Sequence, residues 1–85
     1  MSSITGRSAA PAGDLPLDTR VCGQVGAACR EVRTARGLTL AEVGERLLLS
    51  TRQVRALEDV DLSAFHNPAF FVAALRKYAG FTGVD

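Results

Sequence analysis

The sequence is poor in the residues that build catalytic and metal sites, with no tryptophan, one histidine and two cysteines among 85 residues. A metal site needs several His or Cys side chains at ligand spacing, and His66 lies far along the chain from both cysteines. No serine, threonine or cysteine stands in a recognisable pattern with a catalytic base. We therefore expect no enzymatic activity, no cofactor, no metal and no small-molecule substrate.

Long apolar runs and a strong charge of either sign are also missing. No run approaches the roughly 18 to 20 apolar residues that cross a bilayer, and the first residues lack the pattern of a secretion signal. We expect a cytoplasmic segment without membrane insertion, or the cytoplasmic part of a membrane-anchored protein if the natural chain continues past Asp85. Ten basic and nine acidic residues give a formal net charge of +1, which predicts weak non-specific attraction to nucleic acid.

The two cysteines are not spaced for a disulfide within one helix. Cys22 and Cys29 are seven residues apart on one predicted helix, and a rise of about 10 Å is too long for an S–S bridge. We expect both to be reduced and partly buried.

The beginning of the chain differs from the rest. Residues 1–19 contain two of the three prolines and show no helical or strand period, so we predict a flexible arm there and a folded domain over residues 20–85. From about Val21 to Arg36, apolar residues recur at intervals of three and four, which predicts an amphipathic first helix. Gly37 is placed to end it.

Two short helices are predicted next. Thr39 and Glu42 have the spacing of a capping box, which indicates the start of a second helix of about eight residues. Ser50 and Thr51 supply another N-cap, and the third helix is expected to end near Glu58 or Asp59.

A fourth helix is predicted near the end of the chain. Asn67 and Pro68 are typical of an N-cap followed by proline at the first helical position, and Gly80 is expected to end the helix. No segment shows sustained strand alternation, so the sequence predicts an all-α fold.

The connection between the second and third helices is very short. Only Leu48 and Leu49 separate them, which is typical of a helix-turn-helix. We expect Leu49 to lie inside the corner and Gly44 to be the small residue that lets the helices approach. The remaining face of the third helix, with its arginines, is expected to face solvent.

At this point the sequence resembles a known family. The run GAACREVRTARGLTLAEVG, residues 26–44, is similar to the start of the phage-repressor and Cro-like (XRE) helix-turn-helix fold. More narrowly, it resembles the variant at the N-terminus of RodZ, the bacterial cell-shape protein. The later runs STRQVRALEDVDLSAF and NPAFFVAALRKYA are similar to that variant as well, so the resemblance covers about residues 22–85.

The resemblance implies a compact lambda-repressor-like domain of four to five helices, which would follow the flexible N-terminal arm predicted above. The repressor turn commonly has glycine where this chain has Leu48. Either Leu48 adopts a positive φ or the turn is built differently.

The leading functional hypothesis is a DNA-binding module of a transcriptional regulator. Side chains on the third helix of such a module hydrogen-bond to base edges in the major groove, and arginines and free helix N-terminal N–H groups hold phosphates. The expected base-reading positions are Thr51, Arg52, Gln53, Arg55 and Ala56, and the expected phosphate contacts are Arg30, Arg33, Arg36 and Arg46.

A plainer interpretation remains open for the third helix. Arg52 and Arg55 could be a solvated face beside an acidic cluster of Glu58, Asp59 and Asp61, which would repel phosphates.

The alternative function is a RodZ-like cytoplasmic adaptor that binds an actin-like filament or another protein through the fourth helix. Its aromatic residues could equally pack in the core. The residues expected to form such an interaction face are Phe70, Phe71, Arg76, Lys77 and Tyr78.

Overall fold

Four α-helices and one short 3-10 turn make up residues 18–84, the part of the chain that the computed structural model describes. No strand occurs in this part of the chain, so the predicted all-α helix-turn-helix fold is confirmed. The elements are α1 (Thr19–Ala35), α2 (Leu40–Leu47), α3 (Thr51–Asp59), the 3-10 turn (Leu62–Ala64) and α4 (Pro68–Thr82).

Helix α1 begins slightly earlier than predicted because Asp18 caps it. The Asp18 carboxylate accepts hydrogen bonds from the N–H groups of Arg20 and Val21, so the helix starts at Thr19. The predicted arm over residues 1–19 lies outside the described residues except for Asp18 and Thr19.

The end of α1 is as predicted. Gly37 has a φ of 71°, and its N–H donates to the carbonyl of Thr34. The N–H of Leu38 donates to the carbonyl of Arg33. These two bonds form a Schellman motif, in which a left-handed glycine reverses the chain and satisfies the last helical carbonyls.

The predicted capping box of α2 is present. The Thr39 hydroxyl accepts from the N–H of Glu42, and the Glu42 carboxylate accepts from the N–H of Thr39. Ser50 and Gln53 form the same reciprocal pair at the start of α3. Each helix therefore begins where its sequence supplies a cap.

Helix α4 begins as predicted and ends later. The Asn67 side chain accepts from the N–H of Phe70, and Pro68 is the first helical residue. The expectation that Gly80 ends the helix is wrong, because α4 continues to Thr82. The glycine that stops it is Gly83, with a φ of 85°.

The core lies where α1, α3 and α4 meet, with α2 packed against α3. Burial of each large apolar side chain there contributes roughly 1.5 to 3 kcal/mol. Both cysteines belong to this core as free thiols, more deeply buried than the partial burial expected, and burial raises the pKa of each. The fully buried side chains are Cys29, Val43, Val54, Leu57, Phe71 and Tyr78.

The corner between α2 and α3 depends on a close backbone contact at Gly44. The N–H of Leu49 donates to the carbonyl of Gly44 at 2.8 Å, and a Cβ on Gly44 would lie 2.5 Å from the Leu49 carbonyl oxygen. The predicted role of Gly44 is confirmed.

Leu48 has a φ of 61°, which decides the open question about the turn: this residue takes the left-handed conformation itself.

Within residues 18–84, no helix has the length and apolar character required to cross a membrane.

Replacing Gly44 with alanine tests the corner. We expect Gly44→Ala to lower the free energy of unfolding by about 1 to 3 kcal/mol, because the added methyl group forces the backbone contact apart. The matched control is Gly80→Ala, also within a helix, where a Cβ would meet no atom within 4 Å. There the free energy of unfolding should rise by about 0.5 to 1 kcal/mol. Urea denaturation followed by circular dichroism measures both, and equal effects of the two variants would contradict the role of Gly44.

Candidate nucleic-acid interface

The exposed face of α3 carries three of the predicted base-reading residues. Thr51, Arg52 and Arg55 are all exposed. Arg52 and Arg55 are three residues apart and therefore neighbours on the helix surface. Neither forms an ion pair with any residue of the described part of the chain. Their guanidinium groups are thus free to bind another molecule.

Ala56 does not belong to this face. Its side chain is only 3% exposed, beside Leu57 on the inner side of α3. The expectation that Ala56 is exposed was wrong, because the inner face of this short helix is wider than the positions of its large apolar residues indicate.

Gln53 is half-buried, and its amide is used within the fold. Its Oε1 accepts from the N–H of Ser50 at 3.0 Å, and its Nε2 donates to the carbonyl of Ala64 at 3.4 Å. A bidentate contact with adenine requires both atoms of the amide. In this conformation Gln53 cannot make that contact.

Arg33 is held inside the domain by Glu58. Its Nε and Nη2 donate to the two carboxylate oxygens of Glu58 at 2.7 and 3.1 Å, and its Nη1 donates to the carbonyl of Leu38 at 2.9 Å. The hydrogen bond that Arg33 donates to Glu58 is the main cause that raises the pKa of Arg33. Its side chain is 12% exposed. The predicted phosphate contact from Arg33 is not compatible with this arrangement.

Arg36 and Arg46 are both turned towards the end of α4. Arg36 donates to the carbonyls of Phe81 and Thr82, where a cation is favourable beside the last carbonyls of a helix. The guanidinium of Arg46 lies 6.0 Å from the centre of the Phe81 ring, a cation–π arrangement. Both side chains are exposed, but their guanidinium groups are engaged within the domain.

Arg30 is the remaining predicted phosphate contact. It is exposed and forms no ion pair or side-chain hydrogen bond with any residue in the 18–84 range. A polar hollow of about 250 Å³ lies beside it, between α1, the start of α2 and α3, and brings Arg30 and Arg55 to one place. The hollow is lined by Arg30, Arg33, Leu40, Arg55, Glu58 and Asp59.

The starts of α2 and α3 are less open to phosphates than expected. The capping boxes occupy the N–H groups of Glu42 and Gln53, the third helical residue in each case. The Glu42 carboxylate also places a negative charge at the N-terminus of α2. Only the first two N–H groups of each helix remain for an external anion.

The expected acidic cluster is divided by the fold. Glu58 turns inward to Arg33, and Asp61 caps the 3-10 turn by accepting from the N–H and hydroxyl of Ser63. These hydrogen bonds from Ser63 are the main cause that holds the pKa of Asp61 below its usual value, and the nearby charge of Arg52 also lowers it. Asp59 alone remains as an exposed carboxylate on α3.

On α4, two of the five residues predicted for protein interaction lie in the core. Phe71 and Tyr78 are fully buried, so their assignment to a surface was wrong; the core alternative is the one that the fold adopts. Phe70, Arg76 and Lys77 are exposed. Lys77 Nζ donates to the carbonyl of Leu47 at 3.1 Å, which joins α4 to the last turn of α2.

Sequence patterns did not reveal an exposed apolar groove beside the corner. Leu48 is 86% exposed and Phe70 is 57% exposed, and a groove of about 500 Å³ lies between the corner and α4. The sequence places Leu48 in the connection and Phe70 on a possible interaction face, but periodicity does not show that the two residues lie beside one groove. The groove is lined by Leu48, Leu49, Gln53, Phe65, Phe70, Ala73, Ala74 and Lys77.

The hydroxyl of Tyr78 donates a hydrogen bond to the carboxylate of Glu58, which also binds Arg33. Burial is the larger cause and this hydrogen bond the second, and together they raise the pKa of Tyr78 above the value of about 10 that an exposed tyrosine has. As the pH rises past that value, the unfolded chain loses the phenol proton while the folded chain keeps it. The free energy of unfolding should therefore fall with rising pH in this range.

Ultraviolet absorbance follows this titration at one residue, because Tyr78 is the only tyrosine and the sequence has no tryptophan. The Tyr78→Phe variant should lose this part of the alkaline decline in stability. A midpoint for wild-type Tyr78 at the value of an exposed tyrosine would contradict the bond to Glu58.

Comparison with known proteins gives one family. A family model described as a helix-turn-helix domain matches residues 28–85. No curated protein and no solved structure matches the chain.

Proposed function

We propose that this chain, which belongs to the helix-turn-helix domain family, is the DNA-binding module of a cytoplasmic bacterial regulator and reads duplex DNA with α3. Family membership supports a DNA-binding or regulatory role in general terms, and such domains are typically non-enzymatic. The observation that carries the more specific proposal is the pair Arg52 and Arg55, exposed and unpaired within the described residues on the second helix of the corner.

The base-reading contacts in this proposal come from a smaller set than the sequence suggests. Thr51, Arg52 and Arg55 remain on the accessible face of α3. Arginine binds the O6 and N7 atoms of guanine with two parallel hydrogen bonds, so Arg52 and Arg55 favour sites that contain guanine.

Phosphate contacts are proposed for Arg30, which shares the polar hollow with Arg55. The other three predicted arginines are engaged within the domain. Few free cations and a net charge of +1 imply weak binding to DNA away from a specific site. Since the salt dependence of the affinity scales with the number of phosphate contacts, it should be shallow.

Selection from a random pool of duplex DNA, followed by fluorescence anisotropy at several salt concentrations, tests this proposal. We expect Arg52→Ala and Arg55→Ala each to weaken binding to a selected duplex by about 1 to 3 kcal/mol, because each removes a base contact. Arg76→Ala, which removes the same charge from α4, is the matched control and should bind like the wild type. Failure to enrich any duplex, or equal losses in all three variants, would count against α3 as the reading helix.

A second candidate function is protein interaction through α4, as in a RodZ-like adaptor that binds an actin-like filament. The observation that favours it is the exposed part of α4, where Phe70 and Lys77 line the apolar groove and Arg76 is exposed beside a second hollow between α4 and α1. Exposed aromatic and basic residues are common where proteins bind partners.

Cosedimentation with purified actin-like filaments separates the two candidates. If α4 is the binding face, Phe70→Ala and Arg76→Glu should each reduce the fraction that sediments with filaments, while Arg52→Ala should leave it unchanged. An unchanged fraction in both α4 variants would remove this candidate.

A further inference from the structure

The corner requires a left-handed residue at position 48, but it does not require a leucine there or an exposed apolar side chain. Its φ of 61° lies in the left-handed region, where a side chain crowds the following carbonyl and where glycine or asparagine is preferred. Its side chain is 86% exposed and contributes almost no buried surface. Within the described residues nothing favours leucine here, so its side chain is better explained by a contact with another molecule.

The groove beside Leu48 has the complementary shape. It is open, mostly apolar and about 500 Å³ in volume, with Phe70 exposed on its far side. Lys77 is the only charged residue in its lining. Lys77 uses one hydrogen bond on the Leu47 carbonyl, which leaves two ammonium protons for a carboxylate.

We propose that the occupant of this groove is a second copy of the same chain. A two-fold symmetric interface requires one patch that complements itself. This patch has both parts, because the projecting Leu48 lies next to a hollow that accepts an apolar side chain. In the dimer, Leu48 of each copy packs into the groove of its partner, against Phe70.

The charges near the patch also complement each other. Glu45 is exposed on α2, three residues before Leu48, and makes no ion pair or side-chain hydrogen bond with any of residues 18–84. Glu45 lies in the last turn of α2 and Leu48 directly follows that helix, so entry of Leu48 into the partner's groove brings Glu45 towards the Lys77 ammonium in that groove. The same pairing then occurs twice, once at each end of the symmetric contact.

The size of the patch predicts a weak dimer. A stable interface buries roughly 800 Å² on each partner, and a contact built on one projecting leucine and one groove is smaller. The proposal does not depend on DNA binding and is tested without DNA.

Sedimentation velocity of the full chain from about 10 μM to about 1 mM covers the range expected for so small an interface. The wild type should shift from monomer towards dimer with concentration. Leu48→Gly should remain a monomer while its thermal unfolding temperature stays the same or rises, since glycine relieves the left-handed backbone. Leu48→Asn should behave likewise. Val21→Ala, which trims an exposed apolar side chain on α1, is the control and should dimerise like the wild type.

A charge exchange tests the orientation of the two copies. Glu45→Lys and Lys77→Glu should each weaken dimerisation, and the double variant should recover it, provided that circular dichroism shows all three to be folded. A wild type that stays monomeric at every concentration overturns the proposal and leaves the groove to a different protein. Dimerisation of Leu48→Gly equal to that of the wild type overturns it as well.

Discussion

The carboxylate of Glu58 is the contact on which the arrangement of the helices depends. Glu58 lies near the end of α3, and it is bound at once by Arg33 from α1 and by the hydroxyl of Tyr78 from α4. Its side chain is 5% exposed, so removal of Arg33 alone would leave a nearly buried charge without its counter-ion. The folded domain is therefore stable only while the side chains of Arg33, Glu58 and Tyr78 remain in contact. Their contact fixes the direction in which α3 leaves the core, and it also removes one cation and one anion from the surface beside α3.

The sequence predicted the parts of this structure that are set by near neighbours. Caps at Thr39, Ser50 and Asn67, and the close approach at Gly44, depend on residues within about five positions, so spacing alone identifies them. The candidate site was less predictable, because whether an arginine is free to bind DNA depends on residues far from it in the sequence. Arg33 and Glu58 are 25 residues apart, and no local pattern distinguishes a paired arginine from a free one. The same is true of Arg36, which meets the end of α4. Ala56 was misplaced because alanine fits equally well on either side of a short helix.

The surface that remains after these internal contacts has two different regions. One is a small cationic area formed by Arg30, Arg52 and Arg55, with Asp59 beside it. The other is the apolar groove between Leu48 and Phe70. Helix α3 connects them, since Gln53 lines the groove while Arg52, its neighbour, faces solvent. If the second region holds two copies together, it also sets the separation between their two α3 helices. The spacing of paired half-sites on DNA would then be determined by the groove and not by the cationic area.

The capping residues have a consequence for how quickly the domain folds. Asp18, Thr39, Ser50 and Asn67 each bind an N–H group only two or three positions ahead, so the first turn of every α-helix can close without help from the rest of the chain. Proteins dominated by such local contacts fold in microseconds to milliseconds. We expect the helical turns to form first. The slowest step would then be the docking of α1 and α4 onto α3, when the chain has to bring an arginine and a tyrosine to the same carboxylate.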